Sequence, residues 1–190
     1  MTAILLAAGS ASRFGSQKLL ARLPDGRFVI EAAAHNLLAG AGRVTAVIGH
    51  DEALMRVLAA CGCRVVVNAR AQDGMGGSIA AGVRAEAGAA AWLIALGDMP
   101  GIRPDTIARV IGALDAEAGI VIPTYQHRRG HPVAFAARFG GELMTLQGDS
   151  GARSVVAAHP SHVKLLPVDD DGVLADIDTP DDLSRASPAQ

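Results

Sequence analysis

Leu5-Leu6-Ala7-Ala8-Gly9-Ser10-Ala11-Ser12-Arg13-Phe14-Gly15-Ser16-Gln17-Lys18 begins as an apolar run, passes into a loop of small residues and carries two cations, Arg13 and Lys18. Small side chains let backbone N–H groups come close to a phosphate, and nearby cations offset its charge. A triphosphate can be held this way. The same residues also suit an ordinary βα loop with Arg13 and Lys18 in solvent. The stretch lacks the Gly-Lys-Ser/Thr ending of a P-loop, and Gly9 and Gly15 stand too far apart for the dinucleotide fingerprint.

Two acids could add a metal to such a site. Asp98 follows the apolar run Trp92-Leu93-Ile94-Ala95-Leu96 within Gly97-Asp98-Met99-Pro100, and Asp178 lies in Asp176-Ile177-Asp178-Thr179-Pro180. Mg²⁺ takes one or two carboxylates plus phosphate oxygens and water, at about 2.0–2.1 Å. Taken singly, Asp98 could be a turn residue before Pro100 and Asp178 an acid at a helix start; together they favour a metal pair. Three further stretches offer polar groups. Asp73-Gly74-Met75-Gly76-Gly77-Ser78 is a glycine-rich turn whose backbone and Ser78 could reach a nucleobase, or Ser78 could sit at an N-cap or early in a helix. Arg128-Arg129-Gly130-His131-Pro132 could meet an anionic substrate or form a polar hairpin. Gly148-Asp149-Ser150-Gly151-Ala152-Arg153 places small residues where a helix starts, a geometry suited to anions, although Asp149 could serve only as a cap.

These residues need a scaffold, and the apolar pattern supplies one. Short apolar runs alternate with segments of helical period, as βαβ units of a mainly parallel sheet require. Strands are expected near Ala3–Ala7, Arg43–Ile48, Arg64–Asn68, Trp92–Leu96, Gly119–Pro123, Pro132–Phe135 and Val163–Pro167. Helices are expected near Phe28–Leu38, Glu52–Cys61, Ser78–Glu86, Pro104–Glu117 and Ala152–Ala158, with a last helix starting at Pro180 under a Thr179 cap. The segment His127 to His131 is too short for a crossover helix, so the sheet should make an antiparallel excursion there.

The chain has 190 residues, half of them apolar and 3% aromatic, with a formal charge of −2. That length predicts one domain. Few aromatics and no basic excess argue against a base-stacking surface or a nucleic-acid partner. Cys61 and Cys63, the two cysteines, are separated by one residue, which suits neither a disulfide nor a metal site without further ligands and fits a reducing compartment. Met1-Thr2 runs straight into the first apolar run, which reads as a strand and not a signal peptide. No segment has the apolar length of a membrane span, and a cytoplasmic protein is expected.

The motifs Leu6-Ala7-Ala8-Gly9 through Lys18, Gly97-Asp98-Met99-Pro100, Arg129-Gly130-His131-Pro132, Gly148 to Arg153 and Asp176 to Pro180, in this order, resemble the molybdenum cofactor cytidylyltransferase family, within the MobA-like NTP transferase group. The resemblance implies a Rossmann-like three-layer sandwich. Residues 1–100 would be mainly the NTP-binding half and residues 101–190 mainly the substrate-binding half. It implies transfer of CMP from CTP to molybdopterin with release of pyrophosphate, and Mg²⁺ as cofactor. Leu6, Ala7, Ala8, Gly9, Arg13, Lys18, Ser78 and Asp98 would bind the nucleotide, with Lys18, Arg13 and Asp98 catalytic. Asp98 and Asp178 would bind the metal, and His131, Asp149 and Ser150 would face the pterin. Guanylyl relatives typically carry Leu-Ala-Gly-Gly where this chain has Leu6-Ala7-Ala8-Gly9, so Ala8 points to CTP. Ser10-Ala11-Ser12 departs from relatives that often carry a second basic residue before Arg13. A xanthine dehydrogenase-like apoenzyme is the implied recipient of the product. A guanylyltransferase, another small-metabolite nucleotidyltransferase and a non-catalytic cofactor carrier are the competing readings.

Overall fold

The six residues from Thr2 to Ala7 are all buried, which a strand allows only when both faces of its sheet are covered. The computed structural model describes residues 1–9, 18–149 and 151–185. Its strands are β1 (Thr2–Ala7), β2 (Val44–Ile48), β3 (Arg64–Val67), β4 (Ala91–Leu96), β5 (Ile120–Tyr125), β6 (Arg128–Arg129), β7 (Val133–Ala136) and β8 (Val163–Pro167). Its α-helices are α1 (Val29–Ala41), α2 (Glu52–Ala60), α3 (Met75–Ala85), α4 (Pro104–Gly112), α5 (Gly140–Met144), α6 (Arg153–Ala158) and α7 (Pro180–Arg185). The eight strands form one sheet in the order β3-β2-β1-β4-β7-β5-β6, with β8 beside β5.

Strands β3, β2, β1 and β4 run parallel, β7 runs antiparallel to both β4 and β5, and β8 is parallel to β5. This is the Rossmann-like α/β fold with the expected antiparallel excursion. The turn between β5 and β6 is Gln126-His127, both at positive φ of 48° and 64°, which matches the twist a two-residue hairpin needs.

Alternation along each central strand divides the interior in two. Ala3, Leu5 and Ala7 of β1, with Leu93 and Ala95 of β4, meet Ile30 and Leu37 of α1, Leu58 of α2 and Ile107 of α4. Ile4 and Leu6, with Trp92 and Ile94, meet Ile79 and Val83 of α3, Leu143 of α5 and Val155 of α6 on the opposite face. A period of two in the strands and helices on each side therefore give three layers.

Helix α3 begins at Met75, three residues before the expected start, so Ser78 lies inside its first turns. Helix α4 stops at Gly112 and not near Glu117, because the Asp115 carboxylate accepts from the Glu117 and Ala118 N–H groups and fixes a turn. The short helix α5 and strand β6 were not expected from the periodicity, since neither is long enough to show one. Thr179 caps α7 as expected: its Oγ1 lies 3.3 Å from the Asp182 N–H, while the Asp182 carboxylate accepts from the Thr179 N–H at 2.7 Å.

Candidate active site

Strand β1 has β2 on one side and β4 on the other, although β2 and β3 precede β4 in the chain. The order thus reverses between β1 and β4, and ligands of open α/β sheets bind beyond the carboxyl ends of strands at such a point. Ala8 and Gly9 leave β1 there, and Asp98 leaves β4 beside them. The Gly97 N–H donates to the Leu6 carbonyl at 2.9 Å, and a Cβ on Gly97 would stand 2.7 Å from Ile30 Cδ1. The glycine therefore lets the two strand ends close up. Leu6 and Ala7 are buried strand residues, so they face a ligand only through backbone; Ala8 is half-buried and Gly9 exposed.

Asp178 comes to the same place from the far end of the chain. Ile177 is buried with Leu23, Val29 and Ala32, a small core that also takes in Leu19. Its N–H donates to the Asp98 carbonyl at 2.9 Å. One apolar anchor thus locates both the turn carrying Lys18 and the segment carrying Asp178. The Lys18 ammonium donates to Asp98 Oδ2 at 2.8 Å and to Asp178 Oδ1 at 2.9 Å. Burial acts to lower the Lys18 pKa, but hydrogen bonds and charge from Asp98 and Asp178 outweigh it and raise it above the ordinary lysine value.

Two carboxylates converging on one cation have the hard oxygen chemistry that Mg²⁺ prefers, with the ammonium as a stand-in ion. Among the described residues, no group of three or more His, Cys, Asp or Glu side chains is placed to hold a metal. Phosphate oxygens and water would have to complete the shell, as is usual for Mg²⁺. Asp176 is the acid that sequence reasoning left out. Its carboxyl is pushed above the usual carboxylate range by burial and by the neighbouring charges of Asp178 and Asp98. The spacing Asp176-Ile177-Asp178 carried the signal, since an apolar residue turned inward leaves its two neighbours on one side.

His131 joins this group from the connection between β6 and β7. Its N–H donates to the Val173 carbonyl at 2.9 Å, and Gly130 passes so close to Val173 that a Cβ there would collide with it. The His131 pKa is lowered, first by burial and then by the nearby Arg153 charge, against the opposing pull of Asp98 and the Ile94 carbonyl. Its Nδ1 is buried without a hydrogen-bond partner among the described residues. Burial thus favours the uncharged ring, whose Nδ1 holds unused hydrogen-bonding capacity. Arg153, at the end of the Gly148-to-Arg153 stretch, is brought near His131 by the start of α6.

The two glycine-bearing loops pack on each other. The Gly76 N–H donates to the Gly148 carbonyl at 2.8 Å, and a Cβ on Gly74, whose φ is +110°, would lie 2.6 Å from Asp149 Oδ1. Asp149 thus lies over the glycine-rich turn. Ser78 is 3% exposed, and its Oγ accepts from Asn68 Nδ2 at 3.1 Å, so its orientation is fixed from behind. Arg13 and Ser150, assigned from the sequence to nucleotide and substrate, lie outside the described residues.

A family model described as the MobA-like NTP transferase domain matches residues 3–163. The chain is similar to nicotine blue oxidoreductase of Paenarthrobacter nicotinovorans, 31% identical over 194 residues that cover 97% of this chain and 95% of that protein. Among solved structures it resembles a nucleotidyl transferase from Methanothermobacter thermautotroptrophicus, with 25% identity, a TM-score of 0.82 and coverage of 95% and 93% of the two chains. It also resembles the manganese complex of Rv0371c from Mycobacterium tuberculosis, with 27% identity, a TM-score of 0.76 and coverage of 97% and 96%.

Proposed function

The chain belongs to the MobA-like NTP transferase family, and from that membership we propose that it transfers CMP from CTP to molybdopterin, forming molybdopterin cytosine dinucleotide. The observation that carries the reading is the convergence of Asp98 and Asp178 on the Lys18 ammonium, at 2.8 and 2.9 Å from it, at the reversal point of the sheet. A phosphate oxygen of the acceptor forms a bond to the α-phosphorus of the NTP, the α–β bridging bond breaks, and pyrophosphate leaves. Such transfers need positioning and charge stabilisation from the protein more than covalent chemistry.

Asp98 and Asp178 would hold Mg²⁺, which when bound draws charge from the phosphate oxygens. The manganese complex of the 27% identical structure supports a divalent ion in this fold. Lys18 would take the charge that grows on the leaving phosphates, a task that the sequence also gives to Arg13. His131, whose Nδ1 is buried without a partner among the described residues, would face the acceptor. From the sequence reading, Asp149 and Ser150 would bind the pterin substrate, and Ser78 in its glycine-rich turn would help hold the base. Ala8, half-buried at the end of β1, supports CTP because its methyl group occupies space that the guanylyl pattern leaves open. Delivery of the product to a xanthine dehydrogenase-like apoenzyme extends the same reading.

The test is pyrophosphate release by purified protein with Mg²⁺, molybdopterin and each of the four NTPs. CTP is expected to give the fastest release; equal turnover with GTP would remove the cytidylyl assignment. A second reading, as an oxidoreductase, rests on the name of the 31% identical relative. Acceptor-dependent pyrophosphate release separates the two, since redox turnover does not require it.

A further inference from the structure

Lys18 contacts Asp98 and Asp178 together, and only 14% of its side chain is exposed. Its ammonium stands where the two carboxylates converge, the place a divalent ion would take. A metal bonded to those oxygens at about 2.0–2.1 Å leaves no room for an ammonium hydrogen-bonded to both. The two cations would also repel each other strongly at that separation.

We propose that Lys18 is an internal counter-ion that closes the carboxylate pair to free divalent metal and yields it only to a metal bound to a nucleoside triphosphate. This rests on the reading of Asp98 and Asp178 as the metal pair. The described acids do not complete a metal shell by themselves, so a bare ion gains little by displacing the ammonium. A triphosphate changes both sides of that exchange. Its oxygens fill the remaining metal positions, and they give the displaced ammonium a new anionic partner.

The residue type suits the exchange. A lysine ammonium is a compact point charge on a flexible stem, so it can occupy a metal-like position and swing to a phosphate without moving its backbone. Lys18 is then a positioning residue before the nucleotide arrives and a phosphate contact afterwards. Metal and nucleotide must promote each other's binding by the same factor.

The test is Mn²⁺ binding read from the free-ion electron paramagnetic resonance signal, in wild type, Lys18→Met, Lys18→Arg and the Lys18→Met/Asp98→Asn double variant, each checked for folding by its melting transition. Without nucleotide, Lys18→Met should bind Mn²⁺ about ten-fold or more tighter than wild type, within the range of ordinary site–site coupling. Lys18→Arg, which keeps the charge, should stay weak. Adding α,β-methylene CTP or its GTP counterpart should tighten Mn²⁺ binding to wild type far more than to Lys18→Met. If nucleotide-free wild type binds Mn²⁺ as tightly as Lys18→Met, the counter-ion proposal is overturned while the metal pair stands. If Asp98→Asn leaves Mn²⁺ binding unchanged in the Lys18→Met background, the metal-pair reading fails and takes the proposal with it.

Discussion

A carboxylate at the end of a central strand contributes little to packing, which makes Asp98 a clean probe of chemistry. Its side chain is 24% exposed and its main contact is Lys18. Asp98→Ala should leave the melting transition nearly unchanged and lower kcat by roughly 10²–10³-fold, the range for loss of one transition-state electrostatic contact. Normal turnover in the folded variant would sink the metal assignment. Asp176 makes an opposite kind of prediction. Its folded pKa is raised, so the ionised form is disfavoured by the fold; that penalty is present above the folded pKa and absent below the ordinary carboxylate value. Asp176→Asn should therefore raise the melting temperature at pH 7 and lose this advantage as the medium is made acid. His131 has a lowered pKa, so the unfolded chain takes up its proton first as pH falls. The stability this group contributes is complete above about pH 6.5 and declines below it. Melting curves of wild type and His131→Gln between neutral and mildly acid pH should converge if the ring is responsible.

The elements matter through how closely they approach. Helix α3 lies on the sheet at Gly82, where a Cβ would stand 2.5 Å from Ile4 Cγ2 and 2.9 Å from Val47 Cγ2. Gly82→Ala should cost about 1–3 kcal/mol by overpacking, read from urea denaturation, with kcat of the folded fraction kept. A loss of activity larger than the loss of folded protein would show that the helix position itself tunes the glycine-rich turn at its start. At the end of β1, Ala8→Gly should weaken the proposed preference for CTP over GTP only in part, because one methyl group discriminates by about 1–3 kcal/mol. The ratio of kcat/KM for the two nucleotides is the measurement; an unchanged ratio would place the discrimination on other residues.

Across the whole molecule, burial sets the reactivity of the thiols. Cys63 is 7% exposed and its pKa is pushed up to about 12, first by desolvation and then by Cys61. Burial also raises the half-buried Cys61. Alkylation at pH 7.5 should label Cys63 only as fast as the fold opens, and rapid labelling of native protein would contradict its place in the core. Among the described residues no helix is long and apolar enough to cross a membrane.

The order and type of the central elements were legible from the sequence, because a period of two in runs such as Ala3-Ile4-Leu5-Leu6-Ala7 and of 3.6 between them is imposed by local geometry. So were the chemical types at the site: small residues after β1, an acid after β4, an acid before α7. The sequence could not place Lys18 on Asp98 and Asp178, since they are 80 and 160 residues apart along the chain. That convergence depends on β4 pairing with β1, and on Ile177 entering the core beside Leu23 and Val29. Nor could it show that Gly74 and Gly76 lie against Gly148, or that Asn68 fixes Ser78. Side-chain type and spacing follow from local rules. Which charges share one site follows from long-range burial, and only the folded chain decides that.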